Sequence, residues 1–164
     1  MKNGVQQPVQ ERSLQTMNQI LDAASQLLEQ KLFEEISIAE IVDQAGCSVG
    51  AFYGRFKDKE SLLNALDARH FETFHTGSHQ LISKLQSKPE PLLVVIRKMV
   101  QFLVDVYGGH PGLLRALVLY AKQHRDEGFQ LRERRAWAMY PLFHEIVGLH
   151  RAEIETRLPQ VSIS

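Results

Sequence analysis

The sequence predicts an all-α protein with a small N-terminal three-helix module followed by a larger helical body. Apolar residues recur at intervals of three and four along nearly the whole chain of 164 residues, and strand-like alternation is absent. Glycine, proline and capping residues separate the periodic segments, as expected where helices begin and end. We therefore expect three short helices in a domain over residues 1–57. Four longer helices should follow in a second domain over residues 58–164.

Composition narrows the class of protein. Hydrophobic residues make up 44% of the chain, which is enough for a packed core, and 19 basic side chains balance 19 acidic ones. A single cysteine, Cys47, excludes an intramolecular disulfide and favours a reducing compartment. No signal segment or apolar run of the ~20 residues that span a bilayer is present. We expect a cytoplasmic protein without membrane contact.

The front module is predicted from apolar stripes at helical spacing. The first stripe consists of Leu14, Met17, Leu21, Ala24 and Leu28. A second, shorter stripe runs from Ile38 to Ala45. Such short helices bury little surface alone, so they should share one core. Its expected members are Leu21, Leu28, Ile38, Ile41, Phe52 and Phe56.

Capping residues and a glycine set the boundaries inside this module. Ser37 and Glu40 have the spacing of a capping box, in which hydroxyl and carboxylate each bind a free backbone N–H at a helix start. Gly46 suits a tight turn because it tolerates positive φ. Ser48 is available as the N-cap of the next helix.

The four later helices are delimited by proline and glycine. The long helix that begins near Asp58 should end at the Lys-Pro-Glu-Pro run of residues 88–91, and residues 108–112 should break the chain again. Pro141 should kink or split the last helix. The apolar face predicted for the helix after residue 91 consists of Leu93, Ile96, Val100, Leu103 and Tyr107.

Residues 37–57, SIAEIVDQAGCSVGAFYGRFK, have the organisation of a helix-turn-helix. The surrounding pattern resembles the TetR family in order and spacing over residues 12–66. The segments that carry the resemblance are ILDAA at 20–24, Phe33, Ser37-Ile38, Ile41, AGCSVGAFY at 45–53, Phe56 and KESLL at 59–63. It implies a helix-turn-helix that binds operator DNA as a homodimer, and a helical body that binds a small-molecule effector.

The resemblance also implies roles for individual residues. Ser48, Val49, Gly50, Ala51 and Tyr53 fall on the recognition helix that enters the major groove. Ser37, Tyr53 and Lys59 match positions that contact phosphates, and Arg55 and Lys57 add a basic rim. Residues 1–60 nevertheless contain six basic and nine acidic side chains, so we expect modest non-specific affinity that falls with salt.

Two positions depart from the family pattern. Leu32 stands where the family often has a glycine that closes the first helix, and Val49 where it often has lysine. The chain also ends at Ser164, where the dimerisation helices implied by the resemblance are expected. The alternative function is therefore a helical ligand-binding or dimerisation protein of this type that has lost DNA binding through a shortened C-terminus.

Other candidate sites lie in the helical body. The aromatic residues that could line an effector pocket are Phe102, Tyr107, Tyr120, Trp137, Tyr140 and Phe143, although each is also a plausible core residue. His75 and His79, four residues apart, have the spacing of zinc or nickel ligands, but a polar helix face explains them more simply. We therefore predict no metal and no cofactor. Enzymatic motifs are absent, so an enzyme is not expected.

Overall fold

The computed structural model describes residues 9–124 and 139–157, and all regular structure in those ranges is helical, which confirms the predicted fold class. The helices are α1 (Val9–Gln30), α2 (Ile38–Ala45), α3 (Val49–Tyr53), α4 (Lys59–Ser87), α5 (Leu92–Gly108), α6 (Pro111–Gln123), α7 (described over 139–149) and α8 (Arg151–Arg157). A 3₁₀ turn, Phe33–Glu35, follows α1. None of the described helices is long and apolar enough to cross a membrane.

The chain forms two compact units. The first, which we call the head, contains the chain up to Ala68 together with His110–Leu117. The second, the body, contains Arg69–Gly109 and the chain from Val118 onward. Helices α4 and α6 each contribute residues to both units. The predicted domain boundary at residue 57 stays a prediction.

The head is built around α1, α2 and α3. Five of the six predicted core residues are buried, whereas Ile38 is only half-buried at the start of α2. Two other expectations were wrong. Helix α1 is 22 residues long rather than short, and Leu14 in its predicted stripe is 58% exposed. Over residues 11–30 of α1, Ile20 is the first that is buried.

The end of α1 is held by the start of α6, within the head. The Glu29 carboxylate accepts hydrogen bonds from the Gly112 backbone N–H at 3.0 and 3.1 Å. In return, Arg115 Nη2 donates to the carbonyls of Leu28 and Lys31 at 2.9 and 3.0 Å. Each helix thus supplies the side chain that satisfies free backbone groups at the other helix's end.

The body has its own apolar core. Its buried members are Phe74, Leu85, Val95, Leu142 and Ile146. The predicted apolar face of α5 was partly wrong, since Leu93 and Val100 are 65% and 50% exposed and Ile96 is also exposed. The face that packs inward instead carries Val95, with Met99, Phe102 and Val106 against the core.

Helix ends in the body follow the predicted breaks. Helix α4 ends at Ser87, α5 ends at Gly108 and α6 begins at Pro111. Helix α8 was not predicted. Its Glu153 accepts a hydrogen bond from the Leu92 backbone N–H at 3.0 Å and so caps α5, which has no side-chain cap of its own. Pro141 lies in α7, but the residues that precede 139 lie outside the described ranges, so the predicted kink stays a prediction.

The close approach of α6 to α1 requires glycine at position 112. A Cβ atom built there would lie 2.1 Å from the Leu28 carbonyl oxygen. We expect Gly112→Ala to lower the free energy of unfolding by about 1–3 kcal/mol, because helix backbone must shift to admit the methyl group. Urea denaturation followed by circular dichroism measures this change.

Gly148→Ala is the matched control. Among the described residues, no atom outside the adjoining helix backbone lies within 4 Å of a Cβ at this position in α7, so the added methyl group meets no neighbour there. Alanine in a helix is more favourable than glycine by about 0.5–1 kcal/mol, and this variant should be as stable as the wild type or more so. Equal effects of the two substitutions would contradict the close-packing interpretation of Gly112.

Candidate nucleic-acid interface

Helices α2 and α3 are joined as the sequence predicted. The Ser37 hydroxyl accepts a hydrogen bond from the Glu40 backbone N–H at 3.2 Å, and the Glu40 carboxylate accepts from the Ser37 backbone N–H at 2.9 Å, which completes the capping box. Gly46 ends α2 with φ 65° and ψ 35°, in the left-handed region. Ser48 then caps α3 by accepting from the Ala51 backbone N–H at 3.1 Å. These contacts confirm the predicted turn.

Helix α3 has one buried and one exposed side. Phe52 is fully buried, with its ring 5.5 Å from that of Phe56. Val49 and Tyr53, one turn apart, are 47% and 56% exposed, and Gly50 beside them is exposed as well. The buried phenylalanine therefore fixes which residues of this five-residue helix face outward.

Most of the residues predicted to lie on the recognition helix are exposed. Ser48, Val49, Gly50 and Tyr53 are exposed together, and Ala51 is half-buried. Lys57 follows α3 and is exposed, with no hydrogen bond or ion pair to another described residue. We call this set of exposed predicted residues the α3 face: Ser48, Val49, Gly50, Tyr53 and Lys57.

Arg55 is directed into the head instead. Its guanidinium donates to the Ala51 carbonyl at 2.8 Å, and to the Ser13 carbonyl and hydroxyl at 3.1 and 3.3 Å. These bonds close the C-terminal end of α3 and tie it to the first turns of α1. Sequence reasoning missed Ser13, because its partner lies 42 positions away and no local pattern connects the two.

Lys59 is also occupied within the head. Its ammonium donates to the carbonyls of Phe33 and Ile36, both at 2.7 Å, and lies 3.4 Å from that of Glu34. It also sits 4.6 Å from the centre of the Phe33 ring. Three carbonyls use all three donors of an ammonium group. Lys59 therefore joins the first turn of α4 to the 3₁₀ turn.

The 3₁₀ turn explains how the chain accommodates Leu32 at the position where the TetR pattern often has glycine. Leu32 is extended at φ −75° and ψ 150°, and its backbone N–H donates to the Glu35 carboxylate at 2.9 Å. No residue in this connection needs positive φ, and Gly46 is the one glycine with positive φ in the described ranges. A non-glycine residue is therefore compatible with the end of α1.

The start of α2 carries a stabilised negative charge. An ion-paired hydrogen bond from Lys31, together with hydrogen bonds from the Ser37 backbone and hydroxyl, lowers the pKa of Glu40 from 4.5 to about 2. A phosphate at the N-terminus of α2 would meet this carboxylate beside Ser37. Because Lys31 pairs with Glu40, the local charge is balanced rather than negative.

The predicted effector-binding aromatics are not gathered into one pocket. Phe102 and Tyr107 pack against Phe74, with ring centres 5.6 and 6.0 Å from it. Tyr120 is buried and stacks on His124 at 4.1 Å, whereas Tyr140 and Phe143 are 57% and 41% exposed. Trp137 lies outside the described residues.

The open cavities that the described residues of the body line include three of about 310 to 590 Å³. One of about 590 Å³ lies between α4 and α5 and is lined by Leu85, Phe102 and polar residues that include Lys84 and Gln101. A second, of about 430 Å³, is lined by α5 residues that include Leu103 and Tyr107. The third, of about 310 Å³, adjoins His75 and His79.

A capped helix, a left-handed glycine turn and a second helix with one exposed face define a helix-turn-helix protein. Residues 20–66 match the family model described as bacterial regulatory proteins, tetR family. The N-terminal part of this chain is therefore similar to a family of regulatory proteins.

Individual relatives agree with this assignment. Over 97 residues the chain is 31% identical to the HTH-type transcriptional regulator EthR of Mycolicibacterium smegmatis, which covers 59% of this chain and 43% of that protein. An HTH-type transcriptional regulator of Staphylococcus aureus is 28% identical over 93 residues, covering 57% and 50%. The chain thus spans about half the length of the curated relatives it matches.

A solved structure shares the fold. It is that of a transcriptional regulator (TerR/AcrR family) from Aquifex aeolicus, with a TM-score of 0.55 and 19% sequence identity. The similarity covers 91% of this chain and 90% of that one, so the helices beyond residue 66 also have counterparts in it.

The lowered pKa of Glu40 predicts an acid-sensitive contribution to stability. Because its folded-state pKa lies below the ordinary value, ionised Glu40 stabilises the head above pH of about 4.5, and this stabilisation is lost as the pH falls through about 2. We expect Glu40→Gln, which keeps the capping pattern without the charge, to be less stable than the wild type at neutral pH. Urea denaturation across pH should show the difference shrinking in acid; a pH-independent difference would contradict the charge-based explanation.

The contacts of Lys59 predict a structural role that its neighbour Lys57 lacks. Lys59→Met keeps the apolar stem but removes the ammonium donor from the Ile36 carbonyl and leaves the Phe33 carbonyl with only the Ile36 N–H, so we expect a loss of about 1–3 kcal/mol in the free energy of unfolding. Lys57→Met, at an exposed position, should change it by less than about 0.5 kcal/mol. Urea denaturation of both variants tests this; equal stability of the two would contradict it.

Proposed function

We propose that this chain is a transcriptional repressor that binds operator DNA through the α3 face and is modulated by a small-molecule effector. The observation that carries the proposal is the exposure of Val49, Gly50 and Tyr53 on a helix fixed by the buried Phe52, within a segment that matches the TetR family model. A repressor acts where its operator lies, so the proposal includes a cytoplasmic location.

The residues of the α3 face divide by chemistry. Val49 and the small residues Gly50 and Ala51 allow the helix to approach base edges closely, and the Val49 methyl groups suit contact with a thymine methyl. The Tyr53 phenol and the Lys57 ammonium are phosphate-binding groups at the rim of that surface. Ser48 retains hydroxyl donor capacity while it accepts the Ala51 N–H.

Arg55, Lys59 and Ser37 are better described as positioning residues. Arg55 and Lys59 donate to the head's own carbonyls, and Ser37 exchanges hydrogen bonds with Glu40. We propose that they act on DNA affinity by holding α3 and α2 in place. This revises the sequence-based proposal that they contact phosphates directly.

Operator binding requires two heads. A helix-turn-helix dimer places its two recognition helices one DNA turn apart, roughly 34–36 Å, so that both half-sites are read. We propose a homodimer, and sedimentation velocity of the chain with and without operator DNA tests it. A strict monomer in both conditions would favour the ligand-binding alternative without operator recognition.

The effector is proposed to bind in the body. The cavity of about 590 Å³ between α4 and α5 has the size of a small-molecule site, and Phe102 from the predicted set lines it. Binding there would change operator affinity through α4 and α6, which continue from the body into the head. By linkage, operator DNA would change effector affinity by the same factor.

The α3 face predicts how single substitutions affect DNA binding. Fluorescence anisotropy with DNA from upstream of the gene should show tight binding that weakens with salt. Lys57→Met should weaken binding on all sequences and lower the salt slope by about 1, because one phosphate contact is removed. Tyr53→Ala should likewise weaken binding on all sequences, because its proposed contact is to phosphate, and Tyr53→Phe should separate the contribution of the hydroxyl from that of the ring.

Lys122→Met is the matched control for Lys57→Met. Lys122 is an exposed lysine in the part of α6 that belongs to the body, so its loss removes the same charge from the other unit. We expect unchanged affinity and salt slope. Equal weakening by both lysine variants would mean that net charge, rather than the α3 face, governs binding and would refute the proposed interface.

A further inference from the structure

Two histidine rings on α4 lie closer together than their spacing along the helix requires. His75 and His79 lie one turn apart, both exposed, and their Nε2 atoms are 3.3 Å apart, with ring centres at 4.5 Å. Two histidines on a polar helix face could point away from each other into solvent. Here their nitrogen atoms meet at a hydrogen-bonding distance.

The separation of these nitrogens fits a shared metal ion. Zinc binds imidazole nitrogen at about 2.0–2.1 Å with tetrahedral geometry, so two such ligands lie roughly 3.3–3.4 Å from each other. The observed 3.3 Å matches that value, and a small outward rotation of the rings, whose centres lie 4.5 Å apart, would direct both nitrogens at one ion. Metal binding requires both of these nitrogens to present a lone pair to the ion.

The surroundings support an open site rather than a closed one. Phe71 stacks on His75 at 6.3 Å between ring centres and restricts its orientation. Both histidines line the cavity of about 310 Å³, together with Phe71, Ser78 and Pro141, which leaves room for several water molecules beside the rings. No cluster of three or more histidine, cysteine or acidic side chains occurs in the described ranges, so water must complete the coordination.

We propose that His75 and His79 form a binding site for one divalent transition-metal ion of the zinc class, with two protein ligands and water in the remaining positions. Imidazole nitrogen selects zinc, nickel, cobalt and copper over magnesium and calcium, which prefer oxygen. The site is independent of the proposed DNA-binding function, since it uses no residue of the α3 face.

Titration of the untagged full chain tests the proposal. Isothermal titration with Zn²⁺ should show saturable binding of one ion per chain, and excess Mg²⁺ should not compete. Co²⁺ should give the strong visible absorption of a four-coordinate ion. Absence of saturable Zn²⁺ binding, or one ion for every two chains, would overturn the open two-histidine site.

A displaced histidine provides the matched control. The double variant His79→Gln with Gln80→His keeps the number of histidines but moves one ring about 100° around the helix, away from His75. It should lose saturable Zn²⁺ binding, as should His75→Gln, while circular dichroism and the melting temperature without metal remain those of the wild type. Undiminished binding in the displaced variant would assign the metal to other residues and overturn the proposal.

Discussion

The burial of Phe52 is the constraint on which the recognition surface depends. Helix α3 has five residues, far fewer than an isolated helix needs to be stable in water, so tertiary contacts must hold it. Phe52 is fully buried among the apolar residues of the head, and burial of a side chain of this size contributes roughly 1.5–3 kcal/mol. Because Phe52 points inward, Val49 and Tyr53 must point outward. Packing in the core therefore determines which residues are available to DNA.

The head has more acidic than basic side chains, and most of the basic side chains near α3 bind groups within the head itself. Arg55 and Lys59 bind free carbonyls at the C-terminal ends of α3 and of the 3₁₀ turn, where helix dipoles favour positive charge. Lys31 pairs with Glu40 at the start of α2. Most of the basic side chains near the turn thus stabilise backbone geometry, and Lys57 remains exposed for an external anion. The DNA recognition proposed for the head therefore depends more on the shape of its exposed surface than on its charge.

Local patterns in the sequence were sufficient for the helix order, the capping box at Ser37, the turn at Gly46 and the outward position of Tyr53. They were insufficient where a side chain bonds to a residue distant in sequence, or where the apolar pattern of a helix fits two different faces. Arg55 and Ser13 lie 42 residues apart, so no window of sequence reveals their hydrogen bonds. Helix α5, LLVVIRKMVQFLVDVYG, is apolar on more than one side. Periodicity therefore fitted the exposed Leu93 and Val100 as well as the buried Val95, and only packing distinguishes the two faces.

The same limit applies to the aromatic residues predicted to bind an effector. It applies also to the contacts between α1 and α6 in the head, which no sequence pattern predicted. Aromatic residues mark apolar volume, but whether that volume is a core or a cavity depends on the neighbours that fill it, as Phe74 does beside Phe102. The contacts between the end of α1 and the start of α6 depend instead on residues that belong to no sequence motif. The start of α6 lies so close to α1 that only glycine fits at position 112, and Glu29 and Arg115 fix the two helix ends to each other. A displacement of α6 along its axis must move the end of α1 or break these hydrogen bonds. These contacts make the start of α6 a packed part of the head, although Gly112 follows Glu29 by 83 residues in sequence.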